Sequence, residues 1–298
     1  MKAFIALLRR EYIEHRGAFL YGPLILVALL FGATLLAFTV GRIDTRVSGA
    51  LFTAAPMRVY EVGFLTFGAA WSLYLLATLF FYCADGFAAD KRNNAMLFWK
   101  SMPVSDFRML LSKLVAAITV FPGSIFAITL LSGLLLFGVA VATSSISGTT
   151  GFDLIGSVAG VYVQVAAAIF IAFAVGLLWY LPFMALIGSL ATAIGRWAIP
   201  VAALLPVLVS LIEWVTLGSG WNPLTSRLWE HFWYRTDLKL MDGYLESWFV
   251  AGDNFSVQAF ATDLIARTDW LQVLYGAIFA VLCLFIASEY RRRSNANG

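Results

Sequence analysis

Six long apolar runs constrain this chain more than any other feature: residues 18–40, 62–83, 114–142, 161–187, 197–217 and 271–288. Each has the roughly 20 residues that a helix needs to cross the hydrocarbon of a bilayer. No water reaches backbone N–H and C=O groups there, so a spanning segment must satisfy them internally. Composition agrees with that solvent. Of 298 residues, 61% are hydrophobic and 12% charged, against about 25% charged in soluble domains, and the mean hydropathy is +0.85. The expected fold is an all-α polytopic membrane protein, with six transmembrane helices in a single transmembrane domain over residues 1–298. Pro122, Pro182, Pro200 and Pro206 fall inside the runs. They are expected to kink helices and not to end them, because neighbouring helices can satisfy the freed carbonyls. The first run exceeds the 7–15 apolar residues of a cleaved signal peptide. Glu11 and Glu14 precede it, so it reads as an uncleaved span.

Charge distribution predicts orientation. With the N-terminus inside, segments 1–17, 84–113, 188–196 and 289–298 hold 13 of the 20 basic residues. The positive-inside rule then places both termini in the cytoplasm. Arg42, Arg46 and Arg58 in the first outer loop run against that bias. Cys83 and Cys283 lie within spans, a poor setting for a disulfide, and read as small apolar residues in packed helices.

Residues 1–17 read as an amphipathic helix, with Phe4, Ile5, Leu8 and Tyr12 on one face. Such a helix lies in the inner headgroup layer, apolar face down; the alternative is a solvated extension of the first span. Outside, the loop 143–160 is rich in Ser, Thr and Gly and reads as flexible. Gly156 and Gly160 give a GxxxG spacing that permits close helix approach. The segment 218–270 differs. It carries Trp221, Phe232, Trp233, Tyr234, Tyr244, Trp248, Phe249, Phe255 and Phe260, and disordered segments are poor in aromatics. It is expected to form short helices at the outer surface, either as a cap against lipid or as an outer gate.

Catalytic signatures are missing. No G-x-x-x-x-G-K-[ST] string cradles a nucleotide, no Gly-x-Ser-x-Gly elbow occurs, and no Cys/His/Asp cluster has metal-ligand spacing. The two histidines, His15 and His231, fall on opposite sides of the membrane in this topology. The chain is therefore not expected to be an enzyme or to bind a cofactor or metal itself. Glu213 is the clearest ionisable residue inside a span, and intramembrane charge marks transport pathways. It stands about one turn from the outer end, where it can also be solvated at low cost.

The inner loop 84–113 is basic and amphipathic. Asp90, Lys91 and Arg92 lead into Ala95, Met96, Leu97, Phe98 and Trp99. Met102-Pro103 then interrupts, since proline disfavours helix at the residue before it. Ser105 is a good N-cap for a second helix, along which Phe107, Leu110, Leu111 and Leu114 recur at helical spacing. The loop reads as helix, break, helix. Phe98 and Trp99 are large and apolar in a charged segment, so they must find lipid, their own helices or a partner protein.

This pattern resembles the type-2 class of ABC exporter permeases. The matching positions are Asp90, Arg92, Leu97, Ser101, Pro103, Val104, Ser105, Ser112 and Lys113, while Asn94-Ala95 stands where the class usually has Gly-Thr. The N-terminal helix, six spans, long segment between spans five and six, and basic Arg291–Arg293 end are also similar to that class. The resemblance implies a permease subunit that moves substrate by alternating access. ATP and Mg would be bound by a separate ABC ATP-binding subunit, in two copies, and the partner in the membrane would be a second permease copy or a related permease. Membrane lipid is a further expected partner; nucleic acid is not. Residues Leu97, Phe98, Trp99, Ser101, Met102, Pro103, Val104 and Ser105 would couple to the ATPase. Because the second and fifth spans line the path in that class, Trp71, Tyr74 and Glu213 are candidate path residues, with ordinary helix packing as the alternative. The implied location is a bacterial cytoplasmic (inner) membrane. A gradient-driven secondary transporter or channel, or a non-transport scaffold, is the alternative, although no internal repeat is visible.

Overall fold

The computed structural model describes residues 2–40, 56–92, 105–146, 152–217, 227–236, 243–251 and 255–294. Among these the regular structure is helical, with no strand. The helices are α1 (Lys2–Arg16), α2 (Gly22–Thr39), α3 (Pro56–Arg92), α4 (Asp106–Val115), α5 (Phe121–Ile146), α6 (Phe152–Ile194), α7 (Ala198–Leu217), α8 (Arg227–Thr236), α9 (Tyr244–Ala251), α10 (Val257–Arg267) and α11 (Trp270–Ser294). One turn of π-helix, Gly17–Tyr21, joins α1 to α2, and another, Ala116–Val120, joins α4 to α5. Six helical segments are long and apolar enough to cross a membrane. They are α1–α2, α3, α4–α5, α6, α7 and α11, matching the six apolar runs in order.

The helix α6 is the hub. It packs along α3 and α11 and also meets α5, α7 and α10. Phe64, Leu79, Phe87, Phe121, Ile125, Met184 and Leu284 form part of the buried core. At the periphery, α2 exposes Ile25, Leu29 and Leu36, and α7 exposes Leu208, Ile212 and Val215. Such residues are at home against lipid tails. Pro182 and Pro206 sit inside α6 and α7 without ending them. Pro200 falls in the first turn of α7, where its missing N–H has no helical partner to lose.

Lipid tails are as apolar as leucine, so helices in a membrane associate through close packing. Two glycines permit it. A Cβ on Gly133 of α5 would lie 2.5 Å from the Phe64 ring, and one on Gly68 of α3 would lie 2.6 Å from Ile169 Cδ1. The Tyr60 hydroxyl donates to the Gly133 carbonyl at 3.0 Å, tying α3 to α5 at the same point. By contrast, Gly156 and Gly160 have nothing within 4 Å. The GxxxG spacing thus marks no contact among the described residues, and the close approaches are made elsewhere.

Helix α1 runs on through the π turn into the first span. Its protein-facing line is Leu7 and Glu11, with Ile5 and Ile13 exposed. The stripe expected from spacing, Phe4, Ile5, Leu8 and Tyr12, is therefore only partly covered. The reason is tertiary: α1 lies against α4, which draws Glu11 inward. Since α4 also meets α11, the N-terminal helix and the C-terminal end of α11 gather at one end of the bundle.

At the other end, the segment 218–270 holds α8, α9 and α10. Trp248 and Tyr244 of α9 stack edge-on against Phe255, which neighbours Phe260 of α10. Arg58 at the start of α3 clamps α9. It donates to the Trp248 carbonyl at 2.6 Å and the Phe249 carbonyl at 2.9 Å, with its guanidinium 4.4 Å over the Trp248 ring. The Phe255 N–H donates to the buried Glu61 carboxylate at 3.3 Å. Helix α8 is held by Arg235, which is buried, stacks over Trp179, and donates to the carbonyls of Trp179 (3.0 Å) and Gln272. Burial holds Arg235 below its usual value. Partial desolvation, and then the Arg235 charge, push the pKa of the His231 imidazole down as well, although its side chain is exposed.

Candidate functional site

Of the eight residues expected to couple to an ATPase, Leu97, Phe98, Trp99, Ser101, Met102, Pro103 and Val104 lie outside the described residues. Ser105 lies at their boundary and caps α4. Its backbone is extended and its hydroxyl accepts from the Arg108 N–H at 3.4 Å. Asp90 and Arg92 fall in the last turn of α3.

The helix that Ser105 opens is held on two sides. Lys113 is 2% exposed, and its Nζ lies 2.9 Å from Glu11 Oε1. The Tyr82 hydroxyl donates to Glu11 Oε2 at 2.8 Å and more weakly to the Lys113 carbonyl at 3.3 Å. His15, one turn after Glu11, packs edge-on against Tyr82 with ring centroids 4.7 Å apart. Phe19 in the first π turn stacks on Phe121 just after the second, at 4.0 Å. One charged cluster thus joins α1, α3 and α4. A buried charge is tolerated when it is paired and hydrogen-bonded, and the Glu11 carboxylate has a cation on one oxygen and a hydroxyl on the other. On the second side, Arg291 of α11 is buried, 4.0 Å from Asp106 and 3.8 Å from Met109 Sδ. Arg292 and Arg293 instead pair with Glu289 within their own helix.

Lys113 was legible through the resemblance, but Glu11 was not. The two are 102 residues apart, and no local spacing couples them.

Of the three candidate path residues, Trp71 and Tyr74 pack edge-on with ring centroids 5.6 Å apart, while Glu213 stands on a different helix, α7. Trp71 Nε1 donates to Ser132 Oγ at 3.1 Å, so Trp71 faces α5. The Tyr74 hydroxyl donates to the Ala18 carbonyl at 2.7 Å, in the first π turn. Both side chains join helices. Glu213 is half-buried on α7, and its Oε2 is buried with no hydrogen-bond partner among the described residues.

A groove lies elsewhere, between α3 and α6 and roofed by α9 and α10. Its volume is about 690 Å³. Leu75, Ile169, Phe173 and Leu177 form part of its buried floor, and Leu73, Phe249 and Val250 are exposed along it. Sequence reasoning singled out none of the wall positions on α3 and α6, although it named the roof aromatics Trp248, Phe249 and Phe260 as part of an aromatic-rich segment. Their only signal was small residues among apolar ones on two spans, which is ordinary in membrane helices.

No family model matches the chain, and neither a curated protein nor a solved structure does.

Proposed function

We propose that this chain is the permease subunit of an ATP-driven exporter resembling the type-2 ABC class, embedded in a bacterial cytoplasmic membrane with both termini in the cytoplasm. ATP and Mg belong to two copies of a separate ATP-binding subunit, and a second permease completes the assembly. The observation that carries this reading is the double anchoring of α4. Lys113 ties it to α1 and α3 through Glu11 and Tyr82, and Arg291 approaches it from α11.

Residues 97–105 precede that helix directly. A push delivered there by closing ATPase subunits would enter a rigid junction of the first, second, third and sixth spans, and the motion would switch access from inside to outside. Ligand energy can drive such a switch only by favouring one conformation over the other. The exposed Ile5 and Ile13 of α1 suit a helix lying at the inner headgroup layer.

The test is co-purification of this chain with a P-loop ATPase encoded beside it, followed by ATP-dependent transport. Burying one large apolar side chain is worth roughly 1.5–3 kcal/mol. Phe98→Ala with Trp99→Ala is thus expected to weaken ATPase capture at least about tenfold while the protein still assembles. Normal capture and transport in that variant would sink the coupling role. Transport without any ATPase would favour a gradient-driven carrier.

A further inference from the structure

The groove between α3 and α6 has a lining that selects by chemistry. Its hydroxyls are satisfied within the protein: Thr66 donates to the Val62 carbonyl at 2.7 Å, Ser72 to the Gly68 carbonyl at 2.7 Å, and Tyr180 to the Thr236 carbonyl at 3.3 Å. Helical hydrogen bonds occupy most of the wall's backbone groups. A sugar or an extended peptide would meet few hydrogen-bonding partners there, and desolvating its polar groups would be unfavourable. The concavity exists because Ala69, Ala168, Ala172 and Gly176 are small where the two helices face the groove. A Cβ on Gly176 would have nothing within 4 Å, so the space beside it is open.

The roof is built rather than draped. Arg58 grips the Trp248 and Phe249 carbonyls, and Phe255 hydrogen-bonds to Glu61, so α9 is fixed over the outer end of the groove. Among the described lining residues the one carboxyl side chain is Glu246 of α9, which is exposed, and none is basic. The volume falls within the usual range for ligand pockets, about 300–1,000 Å³.

In a bilayer, apolar surface alone does not distinguish a ligand from surrounding lipid, because lipid tails are equally apolar. Discrimination must come from the shape of the slot and from the carboxylate beside it. We infer that the α3–α6 groove binds the apolar chain of a cationic amphiphile, with the cationic group at Glu246. The same chemistry has two sources, an amine-bearing membrane lipid and a free amphiphile carried across the membrane. The inference does not depend on the ATP-driven reading, and its test uses no ATPase.

The experiment is photolabelling of the purified full chain in nonionic detergent, using an alkyltrimethylammonium with a diazirine at the chain end, read by peptide mapping. Label is expected on residues 62–76 and 168–180. Unlabelled dodecyltrimethylammonium should displace it roughly fivefold more effectively than dodecyl sulfate, the scale of an exposed ion pair. Glu246→Gln should remove that preference and keep the labelling. Gly176→Leu should fill the slot and abolish labelling there, while label on α2 and α7 persists. The open space beside Gly176 and the better helix propensity of leucine favour folding of this variant, and an unchanged melting curve checks it. Ala172→Phe is a second plug if the first unfolds. Competition by added phosphatidylethanolamine identifies a resident lipid, and lack of competition identifies a free amphiphile; either supports the site. Label spread evenly over all lipid-facing helices, groove labelling that survives both folded plugs, or no charge preference in the native chain would overturn the inference.

Discussion

Lys113 shows how much a single side chain can carry here. Its ammonium and the Glu11 carboxylate are both buried, 2.9 Å apart, at the meeting of three helices. Removing one member of such a pair leaves the other charged and dry, which costs about 3–5 kcal/mol. Lys113→Met or Glu11→Leu alone is therefore expected to destabilise the protein by about that much. The double variant should recover most of the loss, because two apolar residues leave no orphaned charge. Unfolding in detergent, compared across the four proteins, measures the coupling. Strict additivity of the two single effects would show that the pair does not act as a unit. The two ends of this site differ in legibility. Ser105 was recognisable as a helix cap because capping is a relation within four residues. Glu11 entered the sequence reading only as a charge ahead of the first span, because its partner is brought to it by folding alone.

At the scale of elements, the junction of α3 and α5 rests on Gly133. The Phe64 ring occupies the place of its missing Cβ, at 2.5 Å, and Phe64 is fully buried. Gly133→Ala is expected to cost about 1–3 kcal/mol, the usual range for overpacking, despite alanine's better helix propensity. Gly156→Ala, where nothing lies within 4 Å, is expected to be neutral or slightly stabilising. Thermal unfolding of the two variants checks the pair, and an equally tolerant Gly133 would refute the packing argument. The GxxxG spacing falls on glycines that make no close approach among the described residues. A sequence motif records spacing on one helix, whereas close approach depends on which residue of a second helix stands opposite. For the same reason the apolar stripe on α1 did not predict its buried line, which contains a glutamate.

For the whole molecule, the six spans and the even return of the chain place the N-terminal helix and the end of α11 together. The basic residues predict that this end faces the cytoplasm. Fluorescent-protein fusions at either terminus should therefore fluoresce in cells, and alkaline phosphatase fusions there should be inactive. The reverse pattern would invert the orientation and remove the coupling proposal with it. Hydropathy is a one-dimensional property, so the sequence by itself determined the number and order of the helices long and apolar enough to cross a membrane. It also marked the segment 218–270 as aromatic-rich, and three helices occur among its described residues. Only the tertiary structure decided which faces meet. Burial of Glu11 on Lys113, the turning of Trp71 and Tyr74 toward neighbouring helices, and the opening of a groove between α3 and α6 depend on contacts between residues far apart in the chain. No periodicity along a single helix encodes what stands across from it.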